Sequence, residues 1–206
     1  MRNFLLTGLL LPGIALADST PPALDIDTDR VTVSGISSGA HMAHQLHIAY
    51  SDVFSGAGLV SGGPYNCAEN SLVTAMGRCM GNTDKPLPVT ALAEGIRQSA
   101  AAGEVADPAN LADDRVWLFH GTLDETIAAQ VHDSAAALYA EFIPTDQIEQ
   151  VNDVPAGHFF PSDDSGHACN EMKEPYVGDC DYDAAGELLK FLYPGLVEPT
   201  AEIDAE

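Results

Sequence analysis

Basic residues are scarce in this sequence: 8 Lys and Arg stand against 31 Asp and Glu in 206 residues, a formal net charge of −23. Like charge repels phosphate backbones and anionic headgroups, which argues against nucleic acid or an anionic membrane surface as partner. Neutral and apolar ligands stay open, and the acid excess by itself suits solubility in a saline habitat. Long apolar runs are also missing: past residue 17 none approaches the roughly 20 residues that span a bilayer, so no membrane span is predicted. Cysteine is limited to Cys67, Cys79, Cys169 and Cys180, with no Cys-x-x-Cys among them, which weighs against a thiolate metal site.

The amino terminus carries an export pattern. Arg2 gives a basic start, Phe4 to Ile14 a short apolar stretch, and Ala15-Leu16-Ala17 a small-residue cleavage site, so residues 1–17 read as a signal peptide and the protein as secreted or periplasmic. The absence of cysteine at the cleavage point argues against a lipid anchor. In an oxidising compartment an even number of cysteines favours two disulfides. Three connectivities are formally open, and the local pairs Cys67–Cys79 and Cys169–Cys180 are favoured because each brackets a Gly- and Asn/Asp-rich loop.

Residues 18–30 are polar and broken by proline, a leader laid over the surface. One domain is expected over 31–196, followed by a frayed acidic tail at 197–206. Strands are predicted at about Arg30–Gly35, Phe54–Gly63, Arg115–Gly121 and Gln147–Val154, and helices at about Ser38–Tyr50, Thr90–Ala102, 128–142 and Tyr182–Tyr193. Pro64–Pro88 and the stretch around the second cysteine pair read as loops. Strands alternating with helices make an α/β domain with a mostly parallel sheet flanked by helices. On the first helix Met42, Leu46 and Ala49 are expected to form the buried stripe. His41, His44 and His47 recur every third residue and are expected on its polar face, since helical metal pairs usually stand four apart with a carboxylate nearby.

The chemistry-bearing positions lie just after the strands, where parallel sheets gather their functional loops. Gly35-Ile36-Ser37-Ser38-Gly39 joins the first strand to the first helix as a nucleophile elbow, with Ser37 at the tip of a strained turn. Gly35 and Gly39 are expected there because a Cβ at either would strike the neighbouring strand or helix. Asp124 follows the third strand and His158 the fourth. A serine hydroxyl needs a base within reach, imidazole supplies one near neutral pH, and a buried carboxylate fixes its tautomer. The Ser38 backbone N–H, at the helix start, is placed to donate to an oxyanion. Competitors are Glu125, Asp113 and Asp114 for the acid, and His167 and His120 for the base. His158 is preferred over His167 because it directly follows a strand. Trp117 reads as core rather than a substrate platform, and Tyr65, beside Gly62-Gly63-Pro64, is a candidate for lining the site.

Four separated segments, Val33–Ser51, Ser61–Ala68, Gly157–Pro161 and Cys180–Leu189, resemble the secreted polyhydroxybutyrate depolymerase family, in the branch whose serine box lies near the mature amino terminus. The resemblance covers about Val31 to Leu196. It implies a circularly permuted α/β-hydrolase acting on poly(3-hydroxybutyrate) or its oligomers, with Ser37, Asp124 and His158 as its triad and no metal or cofactor. An ester polymer or oligomer is the implied substrate. In that branch the chain runs on past the point matching Leu196, adding strands and a His-Gly-Cys segment that donates the second oxyanion N–H. The resemblance therefore implies a truncated form, whose elbow strand lacks a neighbour. A complementary segment, a homodimer that closes the edge, or an inactive binding remnant would each fit. Another carboxylic-ester hydrolase, of feruloyl or acetyl-xylan type, is the alternative enzyme.

Overall fold

The computed structural model describes residues 26–81 and 87–197. The segment read as a signal peptide, most of the expected leader and nearly all of the acidic tail lie outside them.

Strands β1 (Val33–Ile36), β2 (Gly56–Val60), β3 (Arg115–Phe119) and β4 (Ile148–Val151) form one parallel sheet in the order β1-β2-β3-β4. The connections carry α1 (Ser38–Ala49), α2 (Leu72–Gly77), α3 (Val89–Ala101) and α4 (Ala129–Tyr139), and α5 (Ala184–Leu192) comes last. Stepping always to the next position by right-handed crossovers puts the connecting helices on one face. The packing agrees: α1, α3 and α4 share a core with Ala57, Leu59, Val116 and Leu118, while α5 packs on Trp117, Phe119 and Val60 behind the sheet. Alternation along β3 thus sends Val116 and Leu118 one way and Trp117 and Phe119 the other. Trp117 is fully buried, as core. Gly58 lets α5 lie close on the sheet, since a Cβ there would force the Leu188 side chain to shift.

Three features depart from the sequence reading. The stretch read as a loop at Pro64–Pro88 contains α2, capped by the Ser71 hydroxyl, which accepts from the Thr74 N–H at 3.2 Å. A second small parallel sheet, β5 (Phe160–Ser162), β6 (His167–Ala168) and β7 (Val177–Asp179) in the order β5-β7-β6, lies where a loop was expected. Strands of two or three residues are too short to leave a periodic signal.

The third correction concerns α1. Its buried stripe is Ala40, Ala43, His44, His47 and Ile48, whereas Met42 is exposed and Leu46 and Ala49 are only partly covered. The buried set still has helical spacing, but polar residues occupy it because partners wait there. His44 stacks on the Tyr139 ring with centroids 4.1 Å apart, and its Nδ1–H donates to the Gly63 carbonyl at 3.2 Å. His47 Nδ1 accepts from the Tyr139 hydroxyl at 3.0 Å and its Nε2–H donates to Asp114 at 3.0 Å. These contacts replace water for groups that would otherwise be costly to bury.

Cys67 is bonded to Cys79 and Cys169 to Cys180. Loops of this size give roughly 3 kcal/mol each in the chain-entropy picture. Among the described residues no helix is long and apolar enough to cross a membrane.

Candidate active site

β1 runs into α1 through Ser37, whose φ of 55° and ψ of −119° lie outside the regions that L residues favour. Its N–H donates to the Val60 carbonyl at 2.9 Å, extending the β1–β2 ladder by one residue and fixing the turn. Gly35 makes the sharp entry possible, because a Cβ there would lie 2.4 Å from the Gly39 carbonyl carbon. Gly39 has no such constraint: a Cβ on it meets nothing within 4 Å, so the steric role expected for it is absent.

The ladder continues across the sheet. Ser61 N–H donates to Phe119 at 2.8 Å and His120 N–H to Val151 at 2.9 Å, so Ser37, Ser61 and His120 stand side by side at the carboxyl ends of β1, β2 and β3. Asp124 lies in the turn after His120 with its side chain fully buried. Its Oδ1 accepts from the Thr126 and Ile127 N–H groups at 2.9 and 3.0 Å, and its Oδ2 accepts from His158 Nδ1–H at 2.9 Å. Burial alone would raise its pKa; the hydrogen bonds from His158 and the Ile127 N–H, with the Ser61 hydroxyl nearby, outweigh burial and hold the carboxyl down to about 2. With Nδ1 committed to the carboxylate, the lone pair of His158 rests on Nε2.

The structure therefore brings Asp124 and His158 together and places Ser37 at the mouth of the same strand ends. Among the described residues no hydrogen bond joins Ser37 to His158. The competing residues are otherwise engaged. His120 Nε2–H donates to the Ile127 carbonyl at 2.8 Å, and His167, within β6, donates to the Lys173 carbonyl at 2.8 Å and meets the Phe159 ring edge-on at 5.1 Å. Asp114 is bound to His47, while Asp113 and Glu125 are exposed. No group of three or more His, Cys, Asp or Glu side chains among the described residues is placed to hold a metal ion.

A cavity of about 370 Å³ opens beside Ser37 and Ser38, lined by Met42, Met76, Met80 and Ile127, the Cys67–Cys79 bridge, and Gln45, Asn66 and Asn70. Tyr65 lines a separate cavity of about 630 Å³ against α3, so its expected place in the site is not where the structure puts it. Met42, which helical spacing places in the core, is a wall of this cavity; its position five residues beyond Ser37, on the helix that starts at the elbow, is the sequence signal for that place.

Over 173 residues the chain is 43% identical to a poly(3-hydroxybutyrate) depolymerase of Delftia acidovorans, and over 185 residues it is 36% identical to a polyhydroxybutyrate depolymerase of Talaromyces funiculosus. The chain belongs to the polyhydroxybutyrate depolymerase family. These alignments take in 84% and 88% of this chain but 35% and 53% of the two relatives, so the chain spans about half or less of their length. Among solved structures, the depolymerase from Penicillium funiculosum superposes with a TM-score of 0.77 at 34% identity, covering 88% of this chain and 57% of that one. A depolymerase complexed with an R3HB trimer gives a TM-score of 0.75 at 34% identity, covering 85% of this chain and 54% of that one. No family model matches the chain.

Proposed function

We propose that the protein is an exported serine esterase that hydrolyses poly(3-hydroxybutyrate), its oligomers or related short-chain esters. The observation that carries this reading is Ser37, strained at the tip of the turn from β1 into α1 and opening on an apolar cavity. Ser37 Oγ attacks the ester carbonyl carbon while His158 Nε2 takes its proton. The negative charge that develops on the carbonyl oxygen is met by the Ser38 N–H, one of the first helical N–H groups, which have no partner within the helix. Asp124, ionised and buried, steadies the imidazolium. Collapse of the tetrahedral intermediate breaks the ester C–O bond, and His158 returns the proton to the departing alcohol oxygen. Water, deprotonated by the same imidazole, then attacks the acyl-enzyme and releases the carboxylic acid and Ser37.

The thioether and aliphatic wall suits a chain of methyl-bearing ester units, and the lining amide residues offer hydrogen bonds to ester oxygens. The four half-cystines and the amino-terminal export pattern support action outside the cytoplasm. The test is hydrolysis of p-nitrophenyl butyrate and of 3-hydroxybutyrate oligomers. Ser37→Ala and Asp124→Asn are expected to lower kcat by about 10⁴-fold, and Ser37→Ala to abolish fluorophosphonate labelling. Equal rates for wild type and Ser37→Ala would refute the assignment.

A further inference from the structure

Ser61 carries two unexplained burdens. Its φ is 51°, in the left-handed region that favours glycine, although glycine fills the next two positions, Gly62 and Gly63. Its side chain is also fully buried, with a hydroxyl that makes no hydrogen bond of ordinary geometry to any protein atom. A glycine here would remove both, so the hydroxyl invites a functional account.

Its surroundings supply one. Ser61 is pinned by its N–H to Phe119, and the residue before it, Val60, accepts the Ser37 N–H, so it sits between the elbow and the strand that leads to Asp124. Its hydroxyl acts on the Asp124 carboxyl, drawing it toward the ionised form. A carboxylate has about four lone-pair sites, and Thr126, Ile127 and His158 fill three of those on Asp124. We infer that Ser61 is a positioning residue, whose hydroxyl closes onto the open site of the Asp124 carboxylate when the His158 imidazolium forms. This rests on the triad reading above. Hydrogen bonds of resting active sites commonly tighten only as charge develops. Spreading the carboxylate charge over a fourth donor keeps Asp124 from holding the imidazolium proton too firmly, so that His158 can return it to the leaving group.

The variants Ser61→Gly and Ser61→Ala test this, with Ser37→Ala and Asp124→Asn alongside. Loss of the hydroxyl is expected to lower kcat about tenfold, the worth of one charge-assisted hydrogen bond, with KM little changed. The acid limb of kcat/KM and the His158 titration followed by NMR are both expected to move to higher pH. The other titratable groups near the carboxylate, His120 at 3.9 Å from Oδ2 and His132 with its ring 5.3 Å from that of His120, are unaltered in these variants. Ser61→Gly relieves the backbone strain, so its Tm should hold or rise; slower turnover in a protein at least as stable separates positioning from packing. An unchanged kcat and an unchanged His158 titration in Ser61→Gly would overturn the inference. If Ser37→Ala and Asp124→Asn also keep full activity, it is the triad that fails; if those two are inert while Ser61→Gly matches wild type, only the role of Ser61 fails.

Discussion

A buried imidazole is kept neutral by the cost of desolvating its charge, and the fold imposes that cost at His44 and His132. Burial, first of all, lowers both pKa values to about 3. The unfolded chain therefore binds more protons at these two positions below pH 6.5, and stability falls as pH drops from 6.5 toward 3. By pH 5 each histidine costs about 2 kcal/mol at 1.36 kcal/mol per pH unit. Asp124 acts lower on the scale: its contribution is complete above pH 3.8 and is lost as pH falls through about 2. Urea midpoints measured from pH 7 to pH 5 should show the histidine slope. His44→Phe keeps the stack on Tyr139 and is expected to remove about half of it; an unchanged slope would place the titration elsewhere. None of this was visible from spacing alone. His41, His44 and His47 form an ordinary polar triplet until Tyr139 and Asp114, distant in sequence, are brought against two of them.

At the scale of the elements, the elbow makes the sharpest distinction between two glycines. Gly35→Ala forces a Cβ into the Gly39 backbone, while Gly39→Ala enters open space within a helix. The first is expected to destabilise the protein by several kcal/mol and abolish activity. The second should leave it as stable or better by up to about 1 kcal/mol, the helix preference of alanine over glycine. Thermal melts of the two variants decide it, and equal losses would contradict this geometry. The sequence pattern gave both glycines the same role, since it records flanking positions and not the path of the chain between them. The main strands were legible because Gly56–Val60 and Arg115–Phe119 are apolar runs of buried-strand length between turn signals. That the Asp124 and His158 loops meet was legible because a parallel sheet gathers loops at one end. By contrast α2 has six residues, and exposes Leu72 and Val73, so no amphipathic face announces it. The strands of the small sheet are set by contacts with the Phe159 loop rather than by any pattern of their own.

For the whole molecule, the acid excess sets the response to salt. Among the described residues, Arg97–Glu141 at 3.1 Å and Lys190–Glu187 at 3.4 Å are exposed ion pairs. Such pairs are worth about 0–1 kcal/mol each, too little to offset self-repulsion in a chain of net charge −23. Screening shortens the Debye length from about 30 Å at 0.01 M to about 3 Å at 1 M. Tm should therefore rise with NaCl over that range, and a fall would mean that the surface pairs outweigh the repulsion. The order of the sheet has a consequence for synthesis. Because each strand pairs with the next in sequence, a chain emerging amino terminus first can add β2, β3 and β4 in turn to an edge already made, without threading between earlier strands. The serine is then in place early, but His158 arrives only after β4, and β7, which pairs with β5 just beyond His158, follows later still. Under the proposed mechanism, hydrolytic competence is the last property such a nascent chain acquires, so a half-made molecule is silent toward the esters around it.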